Sequence, residues 1–328
     1  YNLYTTIFHF FKKYKILDNR NNFILAIGYY YLLNNIYKYI SKSSYLFLKS
    51  LKPVQNRIQR ESSAIITEIK GELQKEVEDL HPYSRLPRNG FSQEDIKKLF
   101  QKMAPLTSFN HLEGRVSGAV YSNHKELDNL LKDVFPYFMK SNPLHTNVFP
   151  AVRKMENDIV NMMIHLFNGD ENVCGTFTSG GTESILLACK SYQKMSNKKN
   201  PNIIVSNTVH CAFKKACDMF QIEYIEIPCL PDGKMDLKLL SNSINDNTIL
   251  VVASAPSYNL GIIDPVNEIS NICLKYKIPL HVDCCMGAFL INFLDEKYDF
   301  TIPGVTSISV DIHKYGMSPK GASTILYR

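Results

Sequence analysis

The chain has 328 residues, 45% of them hydrophobic and 21% charged, which is enough apolar sequence to bury at least one large core. Its net charge is +6, and the positive charge is concentrated in the first 60 residues, which contain ten Lys and Arg and a single acidic residue, Asp18. That segment carries +9, and the remaining 268 residues carry −3. The rest of the chain is therefore not basic and contains no familiar nucleic-acid-binding motif, which argues against a nucleic-acid partner.

The N-terminal segment, residues 1–60, is basic and aromatic and predicts contact with a membrane. Residues 23–40 form a possible membrane helix, although only 11 apolar residues precede Asn34 and about 20 are needed to span a bilayer. Nine of the 19 Tyr lie in this segment, and Tyr favours the membrane interface. A helix that spans the bilayer and one that lies on it or is simply buried are about equally compatible with this sequence. More basic residues follow the stretch than precede it, which would leave the later chain on the cytosolic side.

The middle of the chain predicts helices and a linker. Residues 61–80 are charged with a helical pattern, and the stretch 81–90 contains two prolines and ends the helix as a linker. Ser92 is expected to cap the next helix, with Asp95 three residues later. We divide the chain into residues 1–60, a helical segment with substrate-side loops at 61–150, and a large domain at 151–328.

From residue 151 onwards, short apolar runs alternate with helical patterns. An apolar stripe at helical spacing covers residues 152–166. Strands are predicted at 202–207, 223–228, 248–256, 279–285, 307–312 and 323–328, and helices at 182–196, 210–220, 236–245 and 265–277. This alternation is typical of an α/β domain with a mainly parallel sheet covered on both faces.

The eight cysteines form no CxxC pair and no zinc-like spacing with histidine. They indicate reduced thiols of a cytosolic domain, and we expect no metal site.

Four features stand at predicted strand ends or helix starts, where ligands gather in such a sheet. Ser179, Gly180, Gly181 and Thr182 precede a helix and can bind an anion such as a phosphate through backbone N–H groups. His210 begins a helix, Asp283 ends a strongly apolar run, and His313 and Lys314 follow the strand at 307–312. Taken singly, each also fits an ordinary turn, a helix cap or a solvated side chain.

Taken together, these features fit pyridoxal 5′-phosphate. The cofactor needs a phosphate site, a flat partner for its ring, an acid for its pyridine nitrogen and a lysine that forms a Schiff base. His210, Asp283 and Lys314 supply the last three.

The sequence resembles the pyridoxal-phosphate-dependent lyases that cleave sphingosine-1-phosphate, within the wider group that includes glutamate and aromatic amino acid decarboxylases. The motifs that carry the resemblance are "EGRVSGAVY" (113–121), "SNPLHTNVFPAVRKMENDIV" (141–160), "CGTFTSGGTESILLACK" (174–190), "GIIDPVNEI" (261–269), "YKIPLHVDCCMGAFL" (276–290) and "GVTSISVDIHKYGMSPKGAS" (304–323). The resemblance implies the large domain of the fold type I transferases that use this cofactor, preceded by a membrane-anchor helix.

The resemblance also implies a reaction and a set of roles. The activity is retro-aldol cleavage of the C2–C3 bond of a sphingoid base phosphate, which yields a long-chain aldehyde and phosphoethanolamine. Lys314 binds the cofactor covalently, Asp283 pairs with its pyridine nitrogen, His210 stacks on its ring, and Ser179 to Thr182 hold its phosphate beside His313. Tyr121, Asn142, His145 and Lys320 lie around the substrate, some of them across a homodimer interface. The implied location is the endoplasmic reticulum membrane, with the catalytic domain facing the cytosol.

The chain departs from this pattern at its C-terminal end. The family continues into a smaller C-terminal domain, whereas this sequence stops 14 residues after Lys314, so we expect that part to be missing. Two alternatives remain: an amino acid decarboxylase with carboxy-lyase activity, and a truncated, non-catalytic relative that is tethered to the membrane.

Overall fold

The computed structural model describes residues 51–75, 77–80, 83–106, 113–116 and 118–328. Contacts between residues separate the chain into two compact units that meet in sequence between Ser108 and Phe109. The predicted boundaries near residues 60 and 150 stay a prediction. The possible membrane helix at 23–40 lies outside the described residues. Among the helices that are described, none is both long enough and apolar enough to cross a membrane.

Within the described residues of the first unit lie α1 (Lys52–Lys75), α2 (Gln93–Met103) and a short 3-10 helix (Ala104–Leu106). As predicted, Ser92 caps α2: its hydroxyl accepts a hydrogen bond from the Asp95 backbone N–H at 3.1 Å. The carboxylate of Asp95 in turn accepts the Ser92 hydroxyl proton at 2.6 Å.

The second unit is an α/β domain, which confirms the predicted class. Its helices are α3 (Lys125–Phe138), α4 (Pro150–Leu166), α5 (Gly181–Ser196), α6 (Ala212–Phe220), α7 (Leu237–Ser243) and α8 (Val266–Tyr276), with a 3-10 helix at Ala288–Phe293. Its strands are β1 (Cys174–Thr178), β2 (Asn202–Ser206), β3 (Glu223–Ile227), β4 (Thr248–Ser254), β5 (Leu280–Asp283), β6 (Val305–Asp311) and β7 (Ser323–Tyr327).

The seven strands form one mixed sheet in the order β1-β7-β6-β5-β4-β2-β3. The pairings among β2 to β6 are parallel, whereas β7 runs antiparallel to both β6 and β1. Strands β2, β4 and β5 are buried along their whole length, as expected for a sheet covered on both faces.

A hydrophobic core lies on each face of the sheet. On one face, Phe167 after α4, Leu240 of α7 and Ile269 of α8 pack on the strands. On the other face, Ile185 of α5 and Phe213 of α6 do the same. Because α5 is held against the sheet in this way, its N-terminus is fixed next to the strand ends that carry the polar residues.

Candidate active site

One edge of the sheet collects the polar residues singled out by the sequence. β1 runs antiparallel to β7, which is itself antiparallel to β6, so the carboxyl ends of β1, β5 and β6 lie at the same edge. Ligands of open α/β sheets bind at this edge. The loop before α5, Asp283 and Lys314 are therefore neighbours although more than 100 residues separate the first from the last.

A cavity of about 330 Å³ opens at this edge, within the size range of small-molecule sites. Every residue predicted to contact the cofactor lines it. The lining consists of Ser179, Gly180, Gly181, Thr182, Glu183, Ile185, His210, Asp283, Cys285, Asp311, His313 and Lys314.

The glycine loop forms the wall at the N-terminus of α5. Gly180 has φ 154°, which side-chain-bearing residues rarely adopt, and a Cβ on Gly181 would lie 2.8 Å from Cys285 Sγ and 2.9 Å from both Asp311 carboxylate oxygens. Glu183 reaches back to accept hydrogen bonds from the backbone N–H and hydroxyl of Ser179, both at 2.6 Å, and these bonds lower the pKa of its carboxyl group. The first N–H groups of a helix lack partners within the helix and favour anions.

Lys314 lies opposite, with its Nζ 2.9 Å from Asp311 Oδ2 and 17% of its side chain exposed. Burial is the largest single influence on the pKa of Lys314 and lowers it. Interactions with Cys285, Asp311 and Asp283 oppose burial and together outweigh it, so the pKa of Lys314 is raised overall. The other oxygen of Asp311 is buried and has no hydrogen-bond partner within the described chain.

Asp283 ends β5 and is 6% exposed. Its Oδ1 accepts hydrogen bonds from the Cys285 backbone N–H at 3.1 Å and from the Ser309 hydroxyl at 3.2 Å. Since both bonds use the same oxygen, Oδ2 is available to a ligand in the cavity.

Two histidines complete the wall. The Nδ1 of His210 accepts the backbone N–H of Ala212 at 3.2 Å, and the ring lies edge-on to Tyr258 with centroids 5.2 Å apart. The Nδ1 of His313 accepts the backbone N–H of Ala322 at 3.2 Å. These bonds fix the orientation of both rings at the cavity.

The residues predicted to bind substrate divide into two groups. Tyr121 and Lys320 contact each other, with Lys320 Nζ 4.6 Å from the centre of the Tyr121 ring, and Lys320 also donates to the His313 carbonyl at 3.4 Å. Burial, followed by repulsion from Lys314, lowers the pKa of Lys320, which is consistent with its position near the cavity. Asn142 and His145 lie in exposed turns before α4 and do not line the cavity, so their role stays a prediction.

Sequence reasoning missed three ionisable residues of the site, Glu183, Asp311 and Cys285. Asp311 stands three residues before Lys314 at the same strand end, and this spacing could have predicted a carboxylate beside the lysine. Cys285 was considered only as a thiol; burial raises its pKa well above the usual value, so it stays protonated. No cluster of three or more potential metal ligands occurs in the part of the chain that the structure describes.

The residues present fit pyridoxal 5′-phosphate on three observations. Gly181 approaches Asp311 and Cys285 so closely that a Cβ would clash with both, so the cavity wall at this helix N-terminus, which suits a phosphate, requires glycine. Asp283 offers a free carboxylate oxygen to a protonated ring nitrogen. Lys314 is a half-buried primary amine in the same cavity.

Comparison with known proteins agrees with this fit. Residues 94–328 match the family model described as the pyridoxal-dependent decarboxylase conserved domain. Sphingosine-1-phosphate lyase of Drosophila melanogaster is 38% identical over 304 residues, which cover 89% of this chain and 56% of that protein. Sphingosine-1-phosphate lyase 1 of Rattus norvegicus is 41% identical over 252 residues, which cover 74% of this chain and 44% of that protein. The chain thus spans about half the length of the curated relatives it matches.

Solved structures of related enzymes also superimpose on this chain. The sphingosine-1-phosphate lyase of Burkholderia pseudomallei K96243 superimposes with a TM-score of 0.72 and 30% identity, covering 77% of this chain and 62% of that one. Glutamate decarboxylase of Lactobacillus brevis superimposes with a TM-score of 0.64 at 22% identity, covering 75% and 60%, and supports the fold alone.

Proposed function

The chain belongs to the pyridoxal-dependent decarboxylase family, and within that family we propose that it is a lyase that cleaves sphingoid base phosphates with pyridoxal 5′-phosphate as cofactor. The observation that carries the proposal is the cavity in which the α5 N-terminus, Asp283 and Lys314 meet. The choice of a lyase over other members is supported by the identity of 35 to 41% to curated lyases over most of this chain.

When bound, the cofactor supplies an aldehyde for the substrate amine and an electron-withdrawing ring for the bond that breaks. The chain's own residues hold and tune it. Backbone N–H groups of Gly180, Gly181 and Thr182 bind the phosphate, and Asp283 keeps the proton on the ring nitrogen. Lys314 would provide the amine that holds the cofactor through its aldehyde.

The substrate end of the site is proposed to lie beyond Lys314, towards Lys320 and Tyr121. Lys320 presents an ammonium 4.6 Å from the Tyr121 ring and suits the phosphate of the substrate head. Asn142 and His145 are proposed to reach the substrate of a second copy across a homodimer interface. A phosphate-binding end of this kind favours a sphingoid base phosphate over a free amino acid.

The proposal extends to the N-terminal segment. A substrate with a long apolar chain resides in membranes, and residues 1–60 carry +9 together with nine Tyr. We propose that residues 23–40 anchor the protein to the endoplasmic reticulum membrane with the catalytic domain on the cytosolic side.

The test of the proposed function is product analysis by mass spectrometry. The chain itself, and a fusion in which it continues into the C-terminal part of a curated lyase, are each supplied with the cofactor and either a sphingoid base phosphate or a mixture of amino acids. Long-chain aldehyde and phosphoethanolamine in equal amounts are expected. The Lys314→Ala variant of the same fusion is the matched control and is expected to give neither product.

Carbon dioxide and an amine instead would place the protein among the decarboxylases. A fusion that binds the cofactor and yields no product from either substrate would contradict both enzyme readings and leave a non-catalytic relative.

A further inference from the structure

A row of buried polar side chains extends from Asp283 into the sheet, away from the cavity. His281 and Asp283 are two residues apart on β5, and Ser307 and Ser309 are two apart on β6, so each pair projects from one face of its strand. The register places His281 opposite Ser307 and Asp283 opposite Ser309. His281, Ser307 and Ser309 are fully buried.

Hydrogen bonds connect the row without a gap. His281 lies between the two serines, with Nδ1 2.8 Å from Ser307 Oγ and Nε2 3.2 Å from Ser309 Oγ. The Ser309 hydroxyl donates to Asp283 Oδ1 at 3.2 Å. At the far end, the Tyr192 hydroxyl of α5 donates to Ser307 Oγ at 2.8 Å. The cavity residue Asp283 is thereby connected to the middle of α5.

Counting protons fixes the direction of these bonds. Burial lowers the pKa of His281 to about 4 against a smaller opposing effect of Asp283, so the imidazole is neutral and has one N–H. Ser309 has one hydroxyl proton, which it gives to Asp283, so it must accept from Nε2–H of His281. Nδ1 then accepts from Ser307, and Ser307 accepts from Tyr192. One tautomer of His281 satisfies every member, and all donors point towards Asp283.

We propose that His281 is a positioning residue that acts through Ser309 to orient the Asp283 carboxylate and keep it ionised opposite the cofactor's ring nitrogen. Hydrogen bonds donated to a carboxylate favour its charged form, and bonds in a chain strengthen one another. Without the hydrogen bond from Ser309, the Cys285 backbone N–H would be the remaining donor to Asp283. The carboxylate would then be more basic, and the proton between it and the cofactor's ring nitrogen would lie closer to the carboxylate. The inference rests on the proposed placement of the cofactor and not on which substrate is cleaved.

The test measures the dissociation constant of pyridoxal 5′-phosphate and the visible absorption of the bound cofactor in single variants. His281→Leu removes the ring's hydrogen bonds and so weakens the hold of Ser309 on Asp283; we expect cofactor binding to weaken by about tenfold, the scale of one hydrogen bond to a charged group, and the absorption spectrum to change. His281→Gln keeps a side-chain N–H donor and is expected to restore part of both readouts.

The matched control is Phe213→Leu, because the Phe213 ring packs on His281 at 5.7 Å between centroids and makes none of the polar contacts. It is expected to lower thermal stability while leaving the dissociation constant and the spectrum unchanged. Tyr192→Phe removes only the hydroxyl that donates to Ser307, at the end of the row furthest from Asp283. It replaces His281→Leu in the test if His281→Leu does not fold. It should shift both readouts in the same direction by a smaller factor.

A double-mutant cycle decides whether His281 acts through Ser309. Ser309→Ala alone should weaken binding as His281→Leu does, and the double variant should be no weaker than Ser309→Ala. Additive losses, or wild-type binding and absorption in the His281→Leu and Tyr192→Phe variants, would overturn the proposal.

Asp283→Asn serves as the reference for cofactor placement. If it too leaves binding and spectrum unchanged, the placement of the cofactor fails and the inference fails with it. If the variants shift cofactor binding as expected but the wild-type protein yields no lyase product, only the proposed function is contradicted.

Discussion

At the scale of single residues, the site is organised around the ion pair of Lys314 and Asp311, whose atoms are 2.9 Å apart. A lysine attacks an aldehyde only as the neutral amine, whereas the neighbours of Lys314 outweigh the lowering effect of burial and raise its pKa. The ion pair with Asp311 therefore favours the protonated form of Lys314.

Replacing Asp311 by Asn should lower the pKa of Lys314, because it removes one negative charge and leaves the burial that favours the neutral amine. The rate at which the cofactor attaches, followed by borohydride trapping, should then reach its half-maximum at a lower pH than in the wild type. Asp264→Asn, a change at a buried carboxylate outside the cavity, is the control and should leave that pH unchanged. An unshifted profile in Asp311→Asn would contradict the account of the pair.

The proposed position of Lys320 at the substrate phosphate can be tested by substitution. Lys320→Ala should raise KM for a sphingoid base phosphate by about tenfold or more, the scale of a lost charge-assisted hydrogen bond, with a smaller change in kcat. Lys320→Arg keeps the cation beside the Tyr121 ring and should retain most of the affinity. Equal KM values in wild type and Lys320→Ala would remove Lys320 from the substrate site.

Burial of neutral His281 makes the stability of the domain depend on pH. Its pKa falls from 6.5 to about 4 on folding, so between these values the unfolded chain binds a proton that the folded chain does not. Stability is therefore lost as pH falls from about 6.5 to 4, and the loss from this group amounts to about 3 kcal/mol.

Urea unfolding of the cofactor-free protein at several pH values measures this effect. His281→Gln should flatten the dependence between pH 6.5 and 4, whereas His124→Gln, at an exposed position, should not. The same slope in wild type and His281→Gln would show that His281 is not the group responsible.

The sequence was sufficient to predict the residues whose chemistry is recognisable one at a time. Gly180, Gly181, His210, Asp283 and Lys314 were predicted from strand ends and helix starts, and the structure brings them into one cavity. His281 and the two serines were missed because a polar residue in a buried strand acquires meaning only from its neighbour on the next strand. The alternation of His281 with Asp283 and of Ser307 with Ser309 was the available signal.

At the scale of elements, the N-terminus of α5 leaves no space for an added side chain at Gly181. Gly181→Ala should abolish saturable cofactor binding, because the new methyl group would lie under 3 Å from Cys285 Sγ and the Asp311 carboxylate. Gly90→Ala is the matched control, since a Cβ there meets no atom within 4 Å. Fluorescence titration with the cofactor measures both. Wild-type binding in Gly181→Ala would show that this wall is not the phosphate site.

Six of the seven strands were predicted within about two residues of their ends, whereas β1 was missed. Its sequence, Cys174–Thr178, contains a glycine and two threonines and has only one fully buried position, so it lacks the apolar run that identifies the inner strands. Helix α3 was missed as well, and it contains Pro136, which disfavours a helix interior. The antiparallel direction of β7 follows from the short connection after β6, which leaves too little chain for a parallel crossover helix.

At the scale of the whole molecule, the described second unit carries a cofactor cavity with every predicted cofactor-contacting residue in its lining. Asn142 and His145, which the resemblance predicts near the substrate, are exposed and outside that lining. Sequence patterns identify elements within one chain, but they do not fix contacts that need a second copy. The substrate side of the site is therefore predicted less fully than the cofactor side.

The most direct measurement of the central claim is chemical trapping of the cofactor. The protein is incubated with pyridoxal 5′-phosphate, reduced with borohydride and digested, and the modified peptide is sequenced by mass spectrometry. The account predicts one cofactor per chain, attached to Nζ of Lys314, and no stoichiometric label in Lys314→Ala. A stoichiometric label on another lysine, or one that persists in Lys314→Ala, would contradict it.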